Sequence, residues 1–248
     1  MLVRNLTFEY VKGKPVLEKI GFEIEPGMNA LIGPNASGKS TVLKCLAGVL
    51  KTKNCIFYEG CEINAYKSLY SSLSYLPQQI AVGAALSVFE VMLLGIVDKL
   101  SWRVDEKNLK LAQAALDDFE IADIASKKIN EISGGQQQEV FIAQALMKKP
   151  RYLLIDEPTN NLDLKNQLKV MEKIKNYAET GNVRTLVVLH DLNLALRYAD
   201  CVYVMKNGRI VAQGNPEKTI SAVMLEKVYE VRAEIIKTGS GISSVALR

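Results

Sequence analysis

The chain has 248 residues, of which 48% are hydrophobic and 23% charged, with a formal net charge of +4. This composition excludes disorder, leaves room for one large domain or two small ones, and is too weakly basic to argue for nucleic acid, although it suits a polyphosphate ligand or an anionic membrane surface. Four cysteines without a C-x-x-C pair and a single histidine argue against zinc and for reduced thiols in the cytosol, and Met1-Leu2-Val3-Arg4-Asn5 lacks the apolar core of a signal peptide.

In chain order, residues 2–9 alternate loosely, with Leu2, Leu6 and Phe8 apolar, and predict a strand with Tyr10 at its end. After a turn at Val11–Pro15, a second strand is expected over Val16–Glu25, closed by Pro26-Gly27. Met28–Ile32 reads as a short buried strand, and Val42, Leu43, Leu46, Ala47 and Leu50 recur at helical spacing after it. Cys55–Ile63, interrupted at Glu59-Gly60, predicts a small hairpin. Leu73–Leu76 predicts a strand ended by Pro77, with Gln78 next. Three helices are then expected. One follows Ser87. One runs from Asp105 with Leu109, Ala112, Leu116 and Phe119 on one face. One runs from near Ser133 to Lys148, stopped by Pro150.

Tyr152–Asp156 reads as a buried strand that resumes the core. Asp163 caps a helix lined by Leu164, Leu168, Met171 and Ile174. Thr185–Leu189 is a further buried strand ending at His190, and Asp191 caps a helix to about Ala199. Cys201–Lys206 and Arg209–Gln213 flank Asn207-Gly208 as a hairpin, and Asn215-Pro216 opens another helix. From Thr238 the Gly- and Ser-containing tail reads as loosely held. Ile80–Val97 is apolar apart from Ser87 and Glu90 and is long enough to cross a membrane. Glu90 is costly in lipid, however, and Ser87-Val88-Phe89-Glu90 is a capping box that starts a helix at Val88.

The organising motif is Gly33-Pro34-Asn35-Ala36-Ser37-Gly38-Lys39-Ser40-Thr41, which fits G-x-x-x-x-G-K-[ST] between a strand and a helix. Backbone N–H groups and a helix N-terminus there attract phosphate oxygens, Lys39 adds a point charge, and the Ser40 hydroxyl can ligate Mg²⁺. Ser133-Gly134-Gly135-Gln136 supplies a second helix start with small residues suited to phosphate. Two such starts far apart in one chain suit two chains arranged head to tail around one nucleotide. Asp156 and Glu157 end a strand, where the first can hold Mg²⁺ and the second can orient water or take its proton. His190 also ends a strand; a lone histidine is more often structural.

Together, Tyr10, Gly33–Thr41, Gln78, Ser133–Gln136, Asp156-Glu157, Asn160–Asp163 and His190 resemble the ATP-binding cassette (ABC) ATPases, from residue 1 to about residue 236. The resemblance implies a role for each. Tyr10 stacks on adenine, and Gly33–Thr41 is the Walker A loop. Gln78 is the Q-loop ligand of Mg²⁺, and Ser133–Gln136 is the family signature. Asp156 is the Walker B aspartate and Glu157 the catalytic glutamate. Asn160-Asn161-Leu162-Asp163 is the D-loop, and His190 the switch histidine. Lys39, Glu157 and His190 are the catalytic candidates, and Ser40, Gln78 and Asp156 the metal candidates.

The implied fold is α/β: a P-loop NTPase core of mainly parallel sheet, an N-terminal antiparallel β subdomain and an inserted helical subdomain. The core takes residues 1–78 and 150–237, the insert 79–149, and 238–248 is a flexible tail. The implied activity is hydrolysis of ATP with Mg²⁺ by a homodimer that drives membrane permease subunits, with a substrate-binding protein and no nucleic acid. The implied location is the cytoplasm, at the inner face of the cell membrane. Ser87–Gly95, His190–Asp200 and Val228–Val231 resemble importers of iron chelates, haem and cobalamin. Another importer, an exporter and a non-transport ABC ATPase are the alternatives. The translation type has two cassettes per chain, and the repair type needs a coiled coil for which Lys39 and Ser133 are too close. In the same resemblance, Ile80–Val97 forms part of a groove that receives a permease helix, and part of it is expected to be exposed.

There are departures. Ala36 stands where the family often has glycine, which is costly if the position needs a positive φ. Gln137, Glu139 and Gln144 replace three arginines, which puts support of the signature helix in question. Ile96 replaces an arginine common in the importer subfamily.

Overall fold

The computed structural model describes residues 1–58, 60–63, 72–78, 86–96, 105–160, 162–237 and 243–247. Strands β1 (Leu2–Val11) and β2 (Lys14–Glu23) pair antiparallel, with the chain turning at Gly13. The turn takes only two residues, so β2 starts two residues before the expected Val16. Strand β3 (Met28–Ile32) follows, then α1 (Lys39–Leu46), which stops short of Leu50 because Gly48 takes a left-handed φ of 72°. Strands β4 (Ile56–Tyr58) and β5 (Cys61–Glu62) complete the antiparallel sheet, in the order β2-β1-β4-β5.

Strand β6 (Leu73–Leu76) belongs to a second sheet. Among the described residues, three α-helices then precede that sheet's next strand: α2 (Val88–Leu94), α3 (Glu106–Asp118) and α4 (Gly134–Met147), capped by Ser87, Asp105 and Ser133. The capping box read at Ser87 and Glu90 is formed. Leu109 is 39% exposed, and Asn108 and Ala115 face the core in its place. After β7 (Tyr152–Asp156) come α5 (Leu164–Thr180), β8 (Arg184–Val188) and α6 (Leu192–Tyr198). Leu164 is 70% exposed, and Val170 and Ala178 join Met171 and Ile174 in the core. Strands β9 (Cys201–Lys206) and β10 (Arg209–Gly214) form the hairpin, with Asn207 and Gly208 both left-handed as the two-residue turn demands. Helices α7 (Pro216–Thr219) and α8 (Ala222–Tyr229) follow, the latter capped by Ser221.

The large sheet has the order β10-β9-β3-β8-β7-β6, parallel except for the β10–β9 pair. Its central strands are buried on both faces. Met28, Ala30 and Ile32 of β3 point into one core with the helices, while Leu31 points into a second core with α1 and the antiparallel sheet. Because the strands run parallel, the residues after β3, β6, β7 and β8 all emerge at one edge. That edge, at the carboxyl ends of the strands, is where open α/β sheets bind ligands.

The expectation of a loose tail from Thr238 is corrected in part. Strand β11 (Ala233–Lys237) pairs antiparallel with β12 (Ser243–Leu247). Asn193 Oδ1 on α6 accepts from the Val245 N–H at 2.8 Å and the Ser244 hydroxyl at 3.1 Å. Ile235 and Val245 pack on the helical core, which is why this segment is seated. Among the described residues no helix is long and apolar enough to cross a membrane. Most of the first half of Ile80–Val97 lies outside the described residues.

Candidate active site

The phosphate loop is shaped by backbone that most residues resist. Gly33 has φ 152°, and a Cβ there would stand 2.3 Å from the Met205 carbonyl oxygen. Gly38 has φ 103°, and a Cβ there would meet Leu17 Cδ2 at 2.7 Å. Ala36 has φ 60°, so the position does require left-handed backbone, at about 1–2 kcal/mol for a residue with a Cβ. Half-buried Pro34 and exposed Asn35 lead into it. Lys39, only 5% exposed, donates from Nζ to the carbonyl oxygens of Gly33 and Pro34, both at 2.8 Å. Burial pushes its pKa below the usual 10.5, against the pull of Glu157 and Asp156. The Ser37 hydroxyl is buried without a hydrogen-bond partner, an orphan facing this glycine-walled loop. A polyphosphate supplies the acceptors such a cradle needs.

The Ser40 hydroxyl donates to Asp156 Oδ1 at 3.2 Å, joining the start of α1 to the end of β7. Burial raises the Asp156 pKa, the Ser40 hydrogen bond opposes that, and the charge of Glu157 adds to it. Two oxygen donors so close suit a hard cation such as Mg²⁺. No group of three or more His, Cys, Asp or Glu among the described residues could hold a metal by itself. Such an ion would take its other ligands from phosphate and water, as Mg²⁺ commonly does.

Glu157 is the hub. It has φ 53°, strained backbone of the kind kept at functional positions. Gln78 Nε2 donates to its Oε2 at 2.6 Å, Asn160 Nδ2 hydrogen-bonds the same oxygen, and His190 Nε2 hydrogen-bonds Oε1. Three residues that follow β6, β7 and β8 thus meet on one carboxylate. Asp163 caps α5, accepting from Asn166 N at 2.8 Å, while Asn161 lies outside the described residues. Tyr10 is 57% exposed, held edge-on to Phe8 with its hydroxyl 3.4 Å from Thr41 Oγ1, so its ring stands beside the start of α1.

Ser133, Gly134, Gly135 and Gln136 are not part of this gathering. Ser133 caps α4 in a reciprocal box with Gln136, at 3.3 and 3.1 Å. Ser133 and Gly134 are exposed, and among the described residues no hydrogen bond joins the four to Gly33–Thr41. The three departures from the family pattern are supported. Gln137 Nε2 donates to the Ile129 carbonyl at 2.9 Å and the Ile132 carbonyl at 3.3 Å, Glu139 pairs with Lys169 at 3.1 Å, and Gln144 Nε2 donates to the Val91 carbonyl. Asn160, read only as part of a loop motif, emerges as a direct partner of Glu157. Its position three residues after that carboxylate was the available signal.

A family model described as "ABC transporter" matches residues 17–160. The chain is 40% identical over 237 residues to an uncharacterized ABC transporter ATP-binding protein of Methanocaldococcus jannaschii, covering 94% of this chain and 92% of that protein. It is 34% identical over 237 residues to a petrobactin import ATP-binding protein of Bacillus subtilis, with 94% of each covered. It is 34% identical over 236 residues to a hemin import ATP-binding protein of Mesorhizobium japonicum, covering 91% and 89%. Among solved structures it is similar to an ATP-binding cassette dimer in a post-hydrolysis state bound to ADP and Pi, with TM-score 0.77, 28% identity, and 87% and 98% covered.

Proposed function

The chain belongs to the ABC transporter family of ATP-binding proteins, and from that premise we propose that it is the ATP-hydrolysing subunit of an importer for an iron chelate, haem or cobalamin. The observation that carries the site is the convergence of Gln78, Asn160 and His190 on Glu157, beside the Ser40–Asp156 pair. Gly33 to Thr41 hold the phosphates of ATP through backbone N–H groups and the start of α1. Lys39 shifts from loop carbonyls to phosphate oxygens, where its hydrogen bonds gain from opposite charge. Tyr10 flanks the adenine. Ser40, Asp156 and Gln78 would hold Mg²⁺, which would supply positive charge to offset that of the phosphates. Glu157 orients the attacking water and accepts its proton, and His190 and Gln78 fix the carboxylate in place.

Ser133–Gln136, of which Ser133 and Gly134 are exposed, and the exposed Asp163 complete this site in a second copy of the chain, head to tail. The resemblance to a cassette dimer supports that arrangement. The insert, residues 79–149, lies between core segments 1–78 and 150–237 in this reading. Membrane permease subunits dock on it, a substrate-binding protein delivers the cargo, and no nucleic acid takes part. The working place is the cytoplasmic face of the cell membrane. The petrobactin and hemin import relatives support the cargo class. The test is Mg²⁺-dependent phosphate release by the purified chain, with identification of the membrane protein that co-purifies with it. No phosphate release with Mg-ATP, alone or with that membrane protein, overturns the ATPase reading. A copurifying exporter overturns the importer reading.

A further inference from the structure

Helices α4 and α5 meet along a ladder that begins at the two ends the proposed dimer uses. At the first step, a Cβ on Gly135 would stand 3.3 Å from Asn166 Nδ2 and 3.5 Å from Leu162 Cδ2, so the signature glycine lies against the start of α5. At the second step, Lys169 Nζ lies 3.1 Å from Glu139 Oε1 and 3.6 Å from Glu120 Oε2. At the third, Lys173 Nζ donates to the Phe119 carbonyl at 2.7 Å and sits 4.5 Å from the Phe119 ring centre. Residues 135 and 139 share one face of α4, as do 166, 169 and 173 of α5, so the first two steps climb both helices together, while the third ties α5 to Phe119 at the end of α3.

The middle step carries an unusual charge. The Glu139 side chain is 8% exposed and that of Lys169 33%. No hydrogen bond satisfies Glu139 Oε1, so the Lys169 ammonium is its compensation as a counter-charge. A carboxylate buried this far is costly unless paired, and removing one partner of such a pair leaves the other charge uncompensated. Where the family pattern often has arginine, this chain has the opposite charge, and the facing helix supplies the lysine that matches it. An arginine at 139 would stand against Lys169 and repel it.

We propose that Glu139 and Lys169 are a positioning pair that sets α4 against α5, and so sets the Ser133–Gln136 end relative to the Asn160–Asp163 end. This rests on the dimer reading above, in which both ends face the nucleotide of the second copy. Neither side chain touches nucleotide in that reading. Both act through the helix starts they align, so their loss changes dimer formation and turnover without changing how one chain grips ATP.

The test is a charge exchange in the full chain: Glu139→Arg, Lys169→Glu and the two together. Five quantities are measured: ATP affinity of the monomer, the protein concentration at which ATP drives dimerisation, kcat, KM and the melting temperature. Each single variant is expected to keep the monomer's ATP affinity and KM. Each is also expected to raise the dimerisation midpoint and lower kcat by about tenfold, the scale of coupling between directly contacting charges. The double variant is expected to regain most of both. Singles with wild-type dimerisation and kcat overturn the proposal. So does a loss that follows the melting temperature alone and is not rescued by the exchange. If a single charge reversal does not fold, Glu139→Gln and Lys169→Gln avoid like-charge contact and must shift dimerisation in the same direction, or the proposal fails. Wild-type protein that stays monomeric with ATP instead overturns the dimer reading itself, and the pair's role with it.

Discussion

Gln78 Nε2 donates to Glu157 Oε2 across 2.6 Å, tying the residue two beyond β6 to the residue just beyond β7. The two strands are paired in parallel register, Leu76 opposite Ile155, so their exits lie side by side and the contact follows from the sheet. With Asn160 on the same oxygen, Glu157 Oε2 accepts from two amides at once. A carboxylate held this way is fixed in orientation, as a group that must meet one water in one geometry requires.

Glu157→Gln keeps the shape but removes the proton acceptor. Turnover is expected to fall by about 10²–10⁴-fold, the usual worth of a positioned general base, while ATP still binds. Phosphate release and equilibrium ATP binding on the same preparation check this. A wild-type rate sinks the assignment of Glu157 as base.

His190 contacts the other oxygen of Glu157, so its removal loosens the carboxylate without removing it. His190→Ala is expected to lower kcat by about 10²-fold, the cost of a misplaced reacting group, with ATP affinity little changed. An unchanged kcat assigns His190 a structural role only.

Lys39 carries a conflict between fold and function. Its pKa is held below 10.5 chiefly by burial, so the fold disfavours the charged form. At neutral pH that cost is fully present, and it is relieved as pH rises through the lowered folded value towards 10.5. Lys39→Met removes the buried charge. The nucleotide-free variant is expected to melt at or above the wild-type temperature at pH 7, with the difference shrinking at alkaline pH, and to lose ATP binding. Thermal melts at several pH values and an ATP titration decide it. A variant that binds ATP as wild type does would falsify the placement of Lys39 in the phosphate site.

The site was largely legible in the sequence because its residues sit at fixed offsets from strand ends. Gly33, Asp156, Glu157 and His190 each follow a short apolar run, and parallel pairing then brings those runs to one edge. What the sequence did not disclose was pairwise. Nothing at position 139 announces that Lys169, thirty residues on and in another helix, neutralises it. Likewise, Gln137 reaches back to the Ile129 carbonyl, a backbone acceptor that no pattern encodes. The tail misled for a related reason. Gly239 and Gly241 suggested looseness, while Val245 finds its partner in Asn193, far away in sequence. The face was read one position off at Leu109, where Asn108 turns inward instead, and Leu164 stands exposed in the first turn of its helix between exposed Asp163 and Lys165, before the buried stripe begins.

Ala36 holds φ 60°, a conformation in which a Cβ is crowded by the following carbonyl. Ala36→Gly removes that crowding but gives the unfolded chain more freedom, which takes back roughly 0.5–1 kcal/mol. The two terms together predict a small net stabilisation, below about 1 kcal/mol, with ATP affinity equal or higher. Chemical denaturation of the two proteins measures it. A loss of stability shows that the alanine methyl makes contacts that outweigh its backbone strain.

The last prediction concerns where a permease would dock. A cavity of 520 Å³ lies between the end of α1, the end of β6 and the ends of α2 and α4, lined among others by Ala47, Leu76, Pro77, Leu94, Gly95 and Lys148. Leu94 is 51% exposed on its rim, whereas Val91 and Met92 of the same helix are buried. A groove with an exposed leucine and an adjoining Q-loop suits an amphipathic helix laid into it. Leu86, by contrast, is half-buried against the helical core, and Val82 lies outside the described residues. Leu94→Glu is therefore expected to leave the melting temperature and basal ATPase activity near wild type while abolishing association with the permease and ATP-driven uptake. Leu86→Glu is expected to lower the melting temperature first, because it forces a carboxylate into apolar packing. Co-purification from membranes, an uptake assay and thermal melts distinguish the two. If Leu94→Glu retains full association and uptake, the permease meets another face. If it unfolds the chain, Leu94 belongs to the core despite its exposure.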